Sequence, residues 1–210
     1  MTQPIRVILA DDHPALRFGL RVLLDRDPDI VVVGEANDGA RALEMSVALT
    51  PQVLVLDCQL PGTDGVTVAA KLRDLGLDTK VLALSAYDDD RYIAGMAQAG
   101  AVGYLLKNEA PSQIVAAVRA AVENQMLWTR DQLGRAERWQ REVARVRDSL
   151  TEREREVLAL IADGLSNKEI AQKLVVTVRT ADFHVSNILR KLDAVSRVEA
   201  AVWAQEHLNL

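Results

Sequence analysis

The sequence predicts two unlike halves: an α/β domain on a doubly wound five-stranded parallel sheet, then an all-α domain of four helices that includes a helix-turn-helix. Three observations lead there. Five short apolar runs alternate with stretches of helical periodicity over residues 1–124. Those runs are apolar at nearly every position, as strands buried on both faces are. In residues 149–210 the strand signals stop and helix-start signatures recur.

The strand-like runs begin near Ile5, Ile30, Val53, Val81 and Val102. Helical periodicity fills the gaps, from Ala15 to Leu24, Gly39 to Leu49, Gly65 to Leu75 and Arg91 to Ala99. A fifth helix reads from Ser112 to Asn124, with Ile114, Val115, Val118 and Val122 on one face. Pro111 stands just before it, where a missing N–H does no harm. Over residues 125–148 arginines alternate with acids and apolar residues are sparse: Leu133, Trp139, Val143 and Val146. Composition favours a solvated, partly helical linker; a helix docked on a neighbouring domain through Trp139 is the other reading, and both stand. Thr151-Glu152-Arg153-Glu154, Ser166-Asn167-Lys168-Glu169 and Ser196-Arg197-Val198-Glu199 then read as capping boxes. Gly164 ends the first of these helices. A further helix starts after Thr177 and runs to about Leu192, joined to its predecessor by the tight turn Leu174-Val175-Val176-Thr177.

The whole-chain balance narrows the function. With 210 residues there is room for two ordinary domains. A formal net charge of -5 leaves no excess of basic groups with which to coat nucleic acid or membrane, so any DNA contact must come from local placement. Cys58 is the single cysteine, which excludes an internal disulfide. No basic start leads into an apolar core and no apolar stretch is long enough to cross a bilayer, so the expected location is the cytoplasm, with no membrane partner.

Chemistry gathers at the ends of the apolar runs. Asp11, Asp12, Asp57, Ser85 and Lys107 each follow one, and ligand sites in open parallel sheets lie at the carboxyl ends of the strands. Singly, each residue reads as a turn former or a surface charge; jointly they describe one pocket. Three crowded carboxylates call for a cation, and hard oxygen ligands without a Cys–His spacing favour Mg²⁺. Asp57 ends the most apolar run, which makes it the most central acid and the expected nucleophile for an acyl phosphate. The metal and Lys107 would neutralise the transferred charge, and Ser85 would donate to a phosphoryl oxygen. His13 reads as a loop or helix-start residue, Cys58 as a buried spacer and His207 as exposed.

These residues resemble a response-regulator receiver domain over residues 1 to about 124. The matching text is Leu9-Ala10-Asp11-Asp12-His13, Leu56-Asp57 with Leu60-Pro61-Gly62 and Gly65, Leu84-Ser85-Ala86, and Gly103-Tyr104-Leu105-Leu106-Lys107. The resemblance implies a flavodoxin-like fold, Asp57 as phosphoacceptor, and Asp11, Asp12, Asp57 and the Gln59 carbonyl as Mg²⁺ ligands. It makes Ser85 and Tyr104 a switch pair, in which the hydroxyl turns to the phosphate and the ring moves inward. Ser replaces the commoner Thr at position 85, and Leu60 stands where Met is frequent. Gln59 and Tyr87 lie where that family tunes loss of the phosphate.

Residues 150 to about 205 resemble the LuxR-type DNA-binding domain of NarL/FixJ-type regulators, through Leu150-Thr151-Glu152-Arg153-Glu154, Gly164-Leu165-Ser166-Asn167-Lys168-Glu169-Ile170-Ala171 and His184-Val185-Ser186-Asn187-Ile188-Leu189-Arg190-Lys191-Leu192. In such a domain the Thr177–Leu192 helix enters the major groove. Lys168, Arg179, Thr180, Asn187, Lys191 and Arg197 are the expected phosphate contacts, with Ser186 on the same DNA-facing set. Ala181-Asp182-Phe183 departs from the pattern. Asp182 could accept from cytosine N4 and Phe183 touch a thymine methyl, or Asp182 could merely complement the helix N-terminus.

The sequence thus predicts a phosphorylation-controlled transcription factor. Its expected partners are a sensor histidine kinase, double-stranded DNA carrying paired half-sites, and a second copy when phosphorylated. Its only chemistry would be self-phosphorylation from a phosphodonor and autodephosphorylation. Two rivals remain: a regulator whose receiver pairs constitutively without phosphate, and a Mg²⁺-dependent phosphohydrolase, which leaves the helical half unexplained.

Overall fold

The computed structural model describes residues 3–208; residues 1, 2, 209 and 210 of the expected domain ranges lie outside the described residues. The first half alternates as its periodicity requires: β1 (Ile5–Ala10), α1 (Pro14–Leu24), β2 (Ile30–Ala36), α2 (Gly39–Leu49), β3 (Val53–Asp57), α3 (Gly65–Asp74), β4 (Lys80–Ser85), α4 (Asp90–Gln98), β5 (Gly103–Leu106) and α5 (Ala110–Val122). The strands form one parallel sheet in the order β2-β1-β3-β4-β5, with β3 at the centre.

The sheet separates two apolar clusters. Leu54 and Leu56 of β3 face Ala42, Val68, Leu72, Ile93 and Met96 from α2, α3 and α4. Val53 and Val55 face Leu20, Leu24, Ile114 and Val118 from α1 and α5. Alternate residues of one strand therefore go to opposite faces and both faces are covered. This is why the central run is apolar throughout and why Asp57 and Ser85, at its rim, are buried.

Within residues 125–148, the stretch from Leu127 to Trp139 packs on the first unit, while most of the other side chains are exposed. The Leu127 N–H donates to the Val102 carbonyl at 2.8 Å, extending the sheet edge by a bridge to Gly103. Gly103 has no room for a side chain, since a Cβ there would stand 2.5 Å from that of Leu127. Trp128 is buried, its Nε1 donating to the Ala101 carbonyl at 2.9 Å. A continuous helix, α6 (Arg130–Ser149), follows. Ala136 and Trp139 join the cluster beneath α3 and α4, and the charges around them form the solvated face. The docked reading with Trp139 as anchor is the one the contacts match. The chain divides inside α6 into two compact units, one ending at Trp139 and the other starting at Gln140.

The second unit holds α7 (Glu152–Ala162), α8 (Asn167–Lys173), α9 (Val178–Leu192) and α10 (Arg197–His207). Leu158, Ile161, Ile170, Val185, Ile188 and Ala204 form its core. Thr151 with Glu154, and Ser166 with Glu169, make complete capping boxes. The third is only half a box: Ser196 Oγ accepts from the Glu199 N–H at 3.2 Å, but Glu199 Oε2 accepts from Val195 N, not from Ser196. Gly164 takes the left-handed conformation after α7, φ 80°. Between α8 and α9 the turn forces Val175 to φ 56°, a strained value for a β-branched residue. Among the described residues no helix is long and apolar enough to cross a membrane.

Candidate functional site

Strand register assembles the first pocket. Ala10 pairs with Leu56, Asp57 with Leu84, and Ser85 with Leu106, so residues just past four strand ends stand side by side. The ladder runs on past the strands through Cys58 N–H to the Leu84 carbonyl (2.8 Å) and Lys107 N–H to the Ser85 carbonyl (2.7 Å). Lys107 Nζ lies 2.6 Å from Asp57 Oδ2 and 2.9 Å from Asp11 Oδ2. Asp57 Oδ1 accepts from the Gln59 N–H at 3.0 Å, and Asp11 Oδ1 from the His13 N–H at 2.7 Å. Gly65 lies directly behind Asp57, and a side chain there would strike the Asp57 carbonyl.

The electrostatics are those of a strained acidic site. Burial pushes the Asp57 carboxyl above its ordinary range; the Gln59 N–H and Lys107 pull it back, and Asp11 adds to the rise. For Lys107, burial works against the charge, yet the hydrogen bonds to Asp57 and Asp11 win and raise its pKa. Asp11 Oδ2 and Asp12 Oδ1 are buried without an aligned hydrogen-bond donor, although Lys107 and His13 Nδ1 (2.6 Å from Asp12) lie near. Ligand atoms of Asp11, Asp12, His13 and Asp57 all lie within 4.8 Å of one another. Three carboxylates crowded into one oxygen-rich cluster, two of their oxygens without an aligned donor, fit a hard divalent cation. His13 begins α1 without a side-chain cap and remains exposed, as a helix-start residue. Cys58 is fully buried, which pushes its thiol pKa up and makes it a packing residue.

Ser85 is buried, and its Oγ accepts from the Tyr87 N–H at 3.1 Å. Tyr104 already lies inward, 2 % exposed, its ring stacked on Trp128 and its hydroxyl donating to the Tyr87 carbonyl at 2.6 Å. Gln59 directs its side-chain amide to Tyr92 Oη at 2.7 Å. Sequence reasoning missed Arg17, whose guanidinium grips the Asp11 carbonyl (2.5 Å) and Glu35 (3.0 Å) and so fixes the β1 end. It also missed Trp128 and Arg135, which had no periodic signal to mark them.

In the second unit the expected nucleic-acid residues divide into two groups. Lys168, Arg179, Asp182, Phe183 and Ser186 are exposed, Phe183 by 64 %. Thr180 is half-buried beside the Thr177 cap, and Asn187 accepts from Arg190 at 3.3 Å. Lys191 and Arg197 are drawn inward instead. Lys191 Nζ donates to Glu154 Oε2 at 2.7 Å and to the Ser149 carbonyl at 2.8 Å. Arg197 grips the Leu165 carbonyl and donates to Asn167 Oδ1 at 2.7 Å. Asp182 accepts from Asn167 Nδ2 at 2.7 Å, so Asp182, Asn167 and Arg197 knit α9, α8 and α10 together. Asp182 is the fifth residue of α9, too far along to complement its N-terminus. His207, expected to be exposed, is only partly so and packs on Trp203.

Comparison with known proteins bears on both units. Residues 7–119 match the model of the response regulator receiver domain, and residues 148–204 that of bacterial regulatory proteins of the luxR family. The chain is 39 % identical over 207 residues to the transcriptional regulatory protein LiaR of Bacillus subtilis, covering 97 % of this chain and 98 % of that one. It is 37 % identical over 208 residues to the nitrate/nitrite response regulator NarL of Escherichia coli K12, covering 97 % and 96 %. Among solved structures, the signal receiver domain of the response regulator designated NarL from Mycobacterium tuberculosis is 42 % identical, with a TM-score of 0.56, over 58 % of this chain and 98 % of that one.

Proposed function

The chain belongs to the NarL/FixJ-type response regulators and is a phosphorylation-controlled transcription factor rather than an enzyme in its own right, and we propose that Asp57 receives the phosphoryl group and that its acyl phosphate governs pairing and DNA binding. The observation that carries this reading is the convergence of Asp11, Asp12 and Asp57, with ligand atoms within 4.8 Å of one another, on Lys107, whose Nζ lies 2.6 Å from Asp57 and 2.9 Å from Asp11.

Asp11, Asp12, Asp57 and the Gln59 carbonyl would hold Mg²⁺, which supplies charge neutralisation for the acids and the incoming phosphoryl oxygens. An Asp57 oxygen attacks phosphorus; the donor's P–N bond breaks, and its electron pair returns to a histidine-kinase imidazole, which takes up a proton. Lys107 keeps Asp57 ionised against its raised pKa and then meets the transferred charge. Ser85 turns its hydroxyl to a phosphoryl oxygen, and Tyr104 reports the change from beneath. Autodephosphorylation returns the site, with Gln59 and Tyr87 at its entrance.

The output is DNA binding by α9 in the major groove, with Lys168, Arg179, Thr180, Ser186 and Asn187 toward phosphates and Phe183 and Asp182 toward bases. Modest basicity makes a single copy weak, so a phosphorylated homodimer on paired half-sites is the working form. The cytoplasm, where kinase and DNA meet, is its place.

The test is gel shift and sedimentation of full-length protein with Mg²⁺, with and without a small-molecule phosphodonor. Wild type gains a phosphoryl adduct, pairs and tightens on DNA; Asp57→Ala does none of these. If both respond alike, a receiver that pairs without phosphate is the better account.

A further inference from the structure

We propose that the loop between β4 and α4 is claimed both by the phosphoryl site and by α6, and that Arg135 is the positioning residue through which phosphorylation frees the first half of α6 from the receiver unit. This rests on the roles given above to Asp57 and Ser85.

Three grips hold that loop. Ser85 Oγ accepts the Tyr87 N–H at 3.1 Å. Tyr104 Oη donates to the Tyr87 carbonyl at 2.6 Å. Arg135 takes the next turn: Nη1 reaches Asp88 Oδ1 (2.5 Å), Nη2 the Asp88 carbonyl (3.0 Å) and Nε Asp90 Oδ1 (2.6 Å). This differs from an exposed ion pair of little consequence. The guanidinium is 16 % exposed, its planar fork is engaged along two edges, and one partner is main chain, which fixes the path of the loop itself.

The competition follows from geometry. The Ser85 hydroxyl can donate and accept at once, so the Tyr87 N–H loses its acceptor only where the Ser85 oxygen itself swings toward the phosphoryl group. The segment from Tyr87 then has to shift, and the Asp88 carbonyl held by Arg135 is one residue on. Arg135 cannot follow freely, because its helix is seated by Ala136 and Trp139 in the receiver core and by Gln132 Nε2 on the Tyr104 carbonyl (3.4 Å). A swing of the Ser85 oxygen toward the phosphate therefore pulls against the clamp. Once open, Asp88, Asp89 and Asp90 stand together without that cation, so opening has a cost that the phosphoryl group must supply. The freed helix has little of its own to hold it: Gly134 lies in its second turn, and Ala136 is its one buried residue among those described.

Coupling of this kind is reciprocal, so opening the clamp must favour the phosphorylated state by the same factor that phosphorylation opens the clamp. The experiment is hydrogen exchange by mass spectrometry over residues 130–139 in the full chain with Mg²⁺, before and after phosphoramidate, with adduct mass read on the same samples. In wild type the adduct speeds exchange there roughly tenfold, and Asp57→Asn shows no such change. Arg135→Gln exchanges fast from the start and accumulates adduct several-fold more; Arg135→Lys, a single point charge, falls between. Asp88→Asn/Asp90→Asn opens the clamp from the other side and must match Arg135→Gln, which separates release from misfolding of one variant. An adduct at Asp57 that leaves residues 130–139 as protected as before, or an Arg135→Gln chain with wild-type adduct levels, overturns the inference and leaves the phosphoacceptor standing. No adduct in any variant removes both.

Discussion

Lys107 is the cation that lets two buried acids coexist. Asp11 and Asp57 are each about 1 % exposed, and its ammonium lies within 3 Å of both. Removing one member of a buried charged set leaves the others uncompensated, at a cost of about 3 kcal/mol. Lys107→Met therefore lowers the melting temperature of metal-free protein, and added Mg²⁺ restores part of the loss because it takes over the neutralising role; thermal denaturation with and without the metal reads this. Glu154 gives the pH prediction. Burial alone would raise its pKa, but hydrogen bonds from Lys191 and from the Thr151 N–H and hydroxyl outweigh burial and hold it below the ordinary 4.5. A carboxylate depressed on folding stabilises above its unfolded pKa, and that contribution is lost as pH falls through the folded value. Helix unfolding followed by circular dichroism from about pH 6 to about pH 3 must show wild type losing more stability than Glu154→Gln. The residue types at the receiver pocket were legible because each sits immediately after an apolar run. Arg17, Trp128 and Arg135 were not, since a residue that acts by gripping a distant carbonyl leaves no local pattern.

At the scale of elements, the helix boundaries followed from local chemistry. Thr151 and Ser166 begin α7 and α8 as complete capping boxes, and Gly164 ends α7. The third box failed because Glu199 turned to Val195, a choice between two nearby N–H groups that residue spacing does not decide. Val175 is the weak joint of the helix-turn-helix. It is 91 % exposed and so buries nothing, yet it carries the cost of the left-handed conformation. Val175→Gly raises stability by about 1 kcal/mol, seen as a higher melting temperature with unchanged helix content. Charges dominate any count over 125–148 and most of them are exposed, but Leu127, Trp128, Ala136 and Trp139 are enough to seat its first half.

At the scale of the molecule, each half of α6 makes contacts inside its own unit: Arg135 holds the Asp88 carbonyl in the first, and the Ser149 carbonyl accepts from Lys191 of α9 in the second. The contacts of the second unit separate two residues that the sequence groups together. Arg179 is exposed and without a structural task in the described contacts, whereas Lys191 is spent on Glu154 and Ser149. Arg179→Ala lowers DNA affinity across sequences and flattens its salt dependence by about one counterion, as loss of a phosphate contact does. Lys191→Ala instead lowers stability by roughly 2 kcal/mol and leaves the salt slope nearly unchanged; gel shifts over a salt series, beside thermal melts, separate the two.

By itself the sequence determined the strand–helix alternation, the parallel doubly wound sheet, the capped helices and the identity of the pocket acids, because periodicity, caps and strand ends are short-range signals set by the backbone's own geometry. Only the tertiary structure decided that Arg135 clamps Asp88 and Asp90, that Trp128 lies under Tyr104, and that Lys191 and Arg197 turn inward. Those choices are made between groups tens of residues apart, where a long side chain takes whichever partner packing brings within reach.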